Sequence, residues 1–179
     1  MGDLRQYAAK MALSRQRRRI SLLFLLAIFG PLNPSHSTSF QNIAPGHLEA
    51  HADLILIVRI EAQEARWLRG GTKIARFHNG LILKTIKGAP TKGEATHVKI
   101  GLPGGTVADL AQWVAGSPML KTGAEYLVFL GPPHGPSGAR GVVGLARGAL
   151  EYENGKLRPL VATQADALSE MSSWLGVKP

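Results

Sequence analysis

The 179-residue sequence contains no cysteine. Disulfides, thiolate metal sites and cysteine nucleophiles are therefore excluded. Acids are also scarce, with 12 Asp and Glu against 21 Lys and Arg. No G-x-S-x-G is present, and Gly116-Ser117-Pro118 is a loop breaker, not the strand-to-helix elbow that a serine nucleophile needs. Nor is there a G-x-x-x-x-G-K-[ST] motif, so Pro103-Gly104-Gly105-Thr106 reads as a chain reversal before it reads as a phosphate cradle. Finally, no apolar run reaches the ~20 residues that span a bilayer.

The basic excess is uneven. Residues 1–37 hold six of the basic residues (Arg5, Lys10, Arg15, Arg17, Arg18, Arg19) and a single acid, Asp3, which leaves fifteen basic and eleven acidic groups for the rest. That remainder is only mildly basic, and its charge does not point to nucleic acid. The basic run ends at Arg19 and is followed by the apolar segment Ile20 to Phe29, then Gly30, Pro31 and small polar residues. This order is that of a secretory signal peptide. Small residues at Ser35 and Ser37 place the expected cleavage after Ser37, and a start at Met11 would give a more ordinary basic region. An uncleaved anchor is the competing reading. Ser21 interrupts the apolar pair expected after a twin-arginine signal, and no cysteine follows for lipid attachment. The expected division is residues 1–37 as signal peptide, 38–160 as a β domain and 161–179 as a C-terminal helix. The expected location is periplasmic or extracellular, with no stable membrane anchor after cleavage.

The longest apolar run beyond the leader is Ala52 to Ile60, A-D-L-I-L-I-V-R-I. Its branched residues and short length favour a strand, buried on both faces at first and half exposed where alternation begins near Ile60. A helical turn over His47 to His51 leads into it. Leu68-Arg69-Gly70-Gly71 reads as a hairpin turn. Thr72 to Lys87 reads as a second long strand, with a bulge where the spacing slips at His78-Asn79-Gly80. Thr96 to Leu102 and Glu125 to Leu130 are further strands. Between them a long loop is expected to carry a helical turn over Val107 to Val114. Gly131 to Gly141, rich in Pro and Gly, reads as a surface loop. Val142 to Ala146 and Ala149 to Tyr152 read as short strands, Asn154-Gly155 as a turn, and Gln164 to Leu175 as an amphipathic helix capped by Thr163. Five or six bent strands with one long connection predict a mainly β fold, nearest to a five-stranded OB-like barrel, with a β-sandwich as the alternative.

The strand ending Ile82 to Gly88 (I-L-K-T-I-K-G), the Pro103-Gly104-Gly105 turn, the run Gly123 to Leu130 (G-A-E-Y-L-V-F-L) and Val142 to Gly148 (V-V-G-L-A-R-G) join the 52–60 run in a pattern. That pattern resembles a group of uncharacterised bacterial secreted domains. These are similar in turn to the N-terminal domain of tissue inhibitors of metalloproteinases, the netrin-like OB fold. The likeness covers roughly Leu48 to Tyr152. It consists of strand and turn residues, so it speaks to fold before activity. It implies a secreted binding domain whose partner is an extracytoplasmic protein or peptidase. In the inhibitors an N-terminal cysteine meets the protease zinc. Here cleavage would expose Thr38, with no cysteine and no disulfide, so that mechanism does not transfer.

Several residue groups are candidates for chemistry. His47 and His51 lie four apart with Glu49 between them, which is metal-ligand spacing on a helix, with His78 or His97 as a conceivable third ligand. The order H-L-E-A-H is not H-E-x-x-H, and two surface histidines are the plainer reading. Trp67, Trp113, Trp174, Phe77 and Tyr126, near Arg66, Arg69, Lys73 and Arg76, could line a groove, although the leader argues against nucleic acid as the client. Trp113 and Val114 form the best candidate for an exposed apolar patch. The favoured expectation is an exported, non-enzymatic domain that binds a protein partner without a cofactor. Its contacts would be Thr38, Phe40, Pro103, Gly104, Gly105, Trp113 and Val114. A small metal-dependent hydrolase using His47 and His51, and a structural envelope protein, are the alternatives.

Overall fold

The structure is a computed structural model that describes residues 43–161 together with Leu168 and Met171. They belong to one unit, Phe40–Pro179. The fold is mainly β. Helix α1 (Pro45–His51) begins with Pro at its first turn, where the missing N–H costs nothing. Two 14-residue strands follow, β1 (Leu54–Trp67) and β2 (Ile74–Lys87), and then β3 (His97–Pro103). A small separate hairpin comes next, made of β4 (Gly105–Val107) and β5 (Leu110–Gln112). The chain continues with β6 (Glu125–His134), β7 (Ala139–Val142), β8 (Ala149–Glu153) and β9 (Lys156–Pro159).

Five of these strands close on themselves. The order is β1-β2-β3-β7-β6, and β6 returns to pair with β1. All contacts in the ring are antiparallel except β3 to β7, where Ile100 faces Arg140 and Gly101 faces Gly141. A closed ring gives β1 two buried faces. Leu54, Leu56, Val58 and Ile60 point inward, among Val98, Ile100, Leu102, Tyr126, Val128 and Leu130. Ile55 and Ile57 point outward, where Leu48 of α1, Phe129, Leu150, Leu157 and Met171 cover them. That is why Ala52 to Ile60 reads as a continuous apolar run; beyond it the expected alternation is absent, and Glu61 to Trp67 is exposed except for half-buried Ala65. Among the described residues, the outer face of β2, β3 and β7 carries the small buried cluster of Ala75, Phe77 and Ala139, while Ile86 near the end of β2 packs on the outer core.

The structure corrects several expectations. The bulge lies at the expected level, but the extra residue is Glu61 on β1, since Ile60 faces Gly80 and Ala62 faces Asn79. Gly80 itself is needed inside the ring, where a Cβ would stand 3.3 Å from Val58 Cβ. Two further extra residues fall on β2, at Leu83 and Ile86. Residues 131–141 are not a surface loop. β6 runs on to His134 and β7 starts at Ala139, so only the turn between them lies outside the strands. Pro132 and Pro133 are tolerated because the ladder is already irregular between Leu130 and Pro133. Val142 ends β7, and Leu145–Gly148 forms a 3-10 turn in place of a continued strand. Asn154-Gly155 makes the expected tight turn, with φ of 53° and 79°, and it joins β8 to β9. Of the C-terminal helix expected over 164–175, only Leu168 and Met171 lie within the described residues. Both are helical and pack on the outer core.

Candidate functional site

The segment expected to carry a helical turn, Val107 to Val114, is instead the β4–β5 hairpin. A helix there would need an apolar face to bury, yet Leu110 and Trp113 are 60% and 79% exposed. The hairpin turns at Ala108, which takes φ 51°. It is pinned to the end of β2 by two bonds. Ile74 N–H donates to Gln112 Oε1 at 2.6 Å, and Gly104 N–H donates to Ile74 O at 2.9 Å. The return segment is anchored by Ser117 Oγ, which donates to Pro103 O at 2.8 Å, and by Leu120, buried in the inner core.

Gly104 and Gly105 are explained by this seating. Gly104 has φ 86°, and a Cβ there would lie 2.7 Å from Gln112 O. Gly105 has φ 139°, and a Cβ there would meet Arg76 Cγ at 2.7 Å and Ala65 Cβ at 3.2 Å. The two residues bring the hairpin down onto β1 and β2. Gly105→Ala is therefore expected to destabilise the protein by about 1–3 kcal/mol in urea unfolding. A change indistinguishable from zero would mean that the hairpin does not rest on Arg76.

Between the hairpin and the ends of β1 and β2 lies a cavity of about 430 Å³. Its lining includes Pro103, Gly105, Trp113, Val114, Met119 and Arg76. Four residues singled out in the sequence thus meet around one space. Gly104 lies in the turn just before it, and Thr38 and Phe40 fall outside the described residues. Of the four basic residues expected beside an aromatic groove (Arg66, Arg69, Lys73 and Arg76), only Arg76 lines this cavity. Its signal was its position: it shares a strand face with His78 and Gly80, the face that points into the ring. Its Nη2 donates to Ser117 Oγ at 3.0 Å and to Pro118 O at 3.1 Å, and Nη1 meets Met119 Sδ at 2.7 Å. Burial lowers its pKa, although a guanidinium stays charged at neutral pH. His78, two residues on, is fully buried, and neither ring nitrogen has a hydrogen-bond partner. Burial, and then the Arg76 charge, hold its pKa down at about 4, so it is neutral at pH 7.

A second depression, of about 1050 Å³, lies on the bare outer face. Trp67, Leu68 and Arg69 border it on one side, and the turn from His134 to Ser137 on the other, with Phe77 between. Arg66 and Lys99 sit over the Phe77 ring at 4.3 and 5.3 Å. Among the described residues no carboxylate lines it. The aromatic residues considered together in the sequence are thus divided. Trp67 and Phe77 border this depression and Trp113 the cavity. Tyr126 is in the inner core, its hydroxyl oxygen accepting from Lys121 N–H at 3.0 Å. Trp174 lies outside the described residues, and Lys73 lines neither space.

No protein-family model matches the chain, and neither a curated protein nor a solved structure does.

His47 and His51 share one face of α1, as their spacing predicts, with ring centroids 4.0 Å apart. Both are exposed, and His51 Nδ1 donates to His47 O at 2.8 Å. The third ligands considered are elsewhere. His78 is inside the ring, and His97 Nε2 contacts Glu61 Oε2 at 3.0 Å. Among the described residues no group of three His, Asp or Glu side chains could hold a metal ion. No helix among them is long and apolar enough to cross a membrane.

Proposed function

We propose that this chain is an exported, non-enzymatic binding domain built on an OB-like barrel, and that it engages a protein partner outside the cytoplasm through the ring end that carries Trp113. The strand order supports the barrel reading. Five strands close in the order β1-β2-β3-β7-β6 with a single parallel contact, which suits a small part-open Greek-key barrel. The basic run and apolar core of residues 15–29 support export.

The observation that carries the binding reading is the exposure of Trp113. A tryptophan left 79% exposed on a hairpin pinned at both ends is an apolar surface held in place. Leu110 stands on the same hairpin, and Met119, 57% exposed, faces the same cavity as Trp113. Exposed clusters of this kind mark partner sites, and tryptophan is prominent among residues that dominate binding energy. The partner class implied by the netrin-like resemblance is an extracytoplasmic metallopeptidase.

The test is comparative capture from the extracytoplasmic fraction of the producing cells, with a panel of secreted metallopeptidases alongside. Trp113→Ala is expected to lose a partner that the unaltered protein retains, with an affinity drop of at least about tenfold. Its unfolding midpoint should stay unchanged, because the side chain is solvent-facing. Equal capture by both proteins would overturn the reading. N-terminal sequencing of exported protein checks the leader, with Thr38 the expected first residue.

A further inference from the structure

We infer that the cavity beside Trp113 is a subsite for an apolar carboxylate held by Arg76, and that its occupant is the C-terminal carboxylate of the protein partner. This rests on the reading that this ring end is a partner surface.

The argument starts from charge. Arg59, Arg140 and Arg158 each pair with a carboxylate within 3.1 Å. Arg76 is half buried in a cavity, and among the described residues it has no carboxylate partner. Its acceptors are a hydroxyl, a carbonyl and a thioether, all neutral. Glu64 also lines the cavity, but its side chain is 59% exposed and its nearest cation is Lys99, with Nζ 3.7 Å from its Oε1. Taking a cation partly out of water without a counter-charge is costly, and a bound anion recovers that cost. Guanidinium is also the side chain best matched to a carboxylate, through paired N–H donors. One donor is readily released. Nη1 points at Met119 Sδ, a weak acceptor on a flexible and exposed side chain that an incoming carboxylate oxygen can displace.

Apart from Glu64, the rest of the described lining carries no charge and mixes polar side chains with apolar ones. Trp113, Val114, Ala111 and Pro103 give it an apolar rim around Arg76, the one cation among its described lining residues. That combination fits a group with an apolar body and an anionic head, and about 430 Å³ accommodates an apolar terminal residue. A free carboxylic acid offers the same head group. The peptide terminus is favoured because apolar surface continues outside the cavity, at Leu110 and the outer part of Trp113, which a small acid would leave uncovered. An internal Asp or Glu fits less well, because chain would have to leave the cavity on both sides of it.

The experiment measures fluorescence polarisation of labelled decapeptides ending in Leu, Val or Phe, each as free acid and as amide, against the purified protein. Free acids should bind, and amidation should weaken binding about ten- to a hundredfold. Arg76→Gln should bring the free acids to the level of the amides and leave the amides unchanged. The acid–amide comparison uses unaltered protein, so it stands even if Arg76→Gln disturbs the fold. Equal binding of acid and amide would overturn the subsite, and loss of partner capture in Trp113→Ala would then still support the partner surface. Conversely, Arg76-dependent binding of acids, with capture insensitive to Trp113→Ala, would keep the carboxylate subsite and remove the protein partner. Displacement of the peptide by 3-phenylpropionate at equal affinity would overturn the choice of a chain terminus as occupant.

Discussion

Replacing Arg140 with methionine is expected to cost about 3–5 kcal/mol of folding stability, the usual consequence of removing one member of a buried ion pair. The Arg140 side chain is 2% exposed. Its Nε and Nη2 donate to the two oxygens of Glu94 at 2.7 and 3.0 Å, while Nη1 donates to Asp53 Oδ2 at 3.1 Å and to Gly131 O at 3.0 Å. One guanidinium thus joins the start of β1, the 3-10 turn Lys92–Glu94, β6 and β7. It does so at the weakest seam of the ring, since only two residue pairs join β3 to β7. Most of the loss comes from Glu94, which is left largely buried without a counter-charge and with only the Thr91 N–H and hydroxyl as donors. Asp53 is 58% exposed and contributes little. Urea unfolding measures the cost. A value below about 1 kcal/mol would mean that water substitutes freely for the clamp.

The same substitution has a signature in acid. Glu94 is held down to about 2, first by its hydrogen bonds from Arg140. The unfolded carboxylate titrates near 4.3. Stability from this pair is therefore complete above that value and is lost as pH falls towards about 2. His78 acts in a different window. Its pKa is about 4 when folded and near 6.5 when unfolded. Only the unfolded chain takes up that proton between the two values, so stability declines from pH 6.5 to about 4. Arg140→Met should shrink the lower window, leaving only what the two Thr91 hydrogen bonds to Glu94 supply, and keep the upper one. Loss of the upper window in Arg140→Met would show that the ring interior around His78 had opened as well.

Neighbouring substitutions in β1 test the closed ring itself. Ile55→Ala and Leu56→Ala should each cost about 2–5 kcal/mol. In an open sheet with one solvated face, one of two adjacent residues would be cheap to truncate. Here Leu56 packs inside the ring among Val98, Val128 and Leu130, while Ile55 packs outside against Leu48, Phe129 and Leu150. Both are fully buried. Glu64→Ala, further along the same strand where its neighbours Glu61 to Gln63 are also exposed, should change stability by less than about 0.5 kcal/mol. A cost below about 1 kcal/mol for either core residue would mean that one of the two cores is not packed as described.

Local signals carried a large part of this fold. The run from Leu54 to Ile60, the turn after Trp67, the strands at 97–103 and 125–130 and the Asn154-Gly155 turn were legible because each depends on neighbours within a few residues. The closing strand was not. Pro132, Pro133, Gly135, Pro136, Gly138 and Gly141 read as loop, and β7 has only four residues. What makes it a strand is β3 and β6 on either side, far away in sequence. The β4–β5 hairpin was hidden for a related reason. Leu110 and Trp113 suggest a helix face only if something covers them, and nothing among the described residues does.

The candidate site divides in the same way. Trp113, Val114, Pro103 and Gly105 could be singled out from the sequence as an apolar, glycine-rich loop. Arg76 was grouped with Trp113 only as one of four basic neighbours of an aromatic groove, and its place beside Pro103, Gly105 and Val114 was not legible, because it lies on a strand that precedes them by more than 25 residues. By itself, the sequence determined that the chain has no cysteine chemistry, that its basic excess belongs largely to residues 1–37, and that its body is built of strands entered at Asp53. The tertiary structure decided that β1 has two cores and that β7 closes the ring. It also decided that an arginine without a carboxylate partner lies beside the exposed tryptophan. The physical reason is range. Turns and strand propensity are set by adjacent residues, whereas burial, charge pairing and the shape of a cavity depend on which distant segments the closed ring brings together.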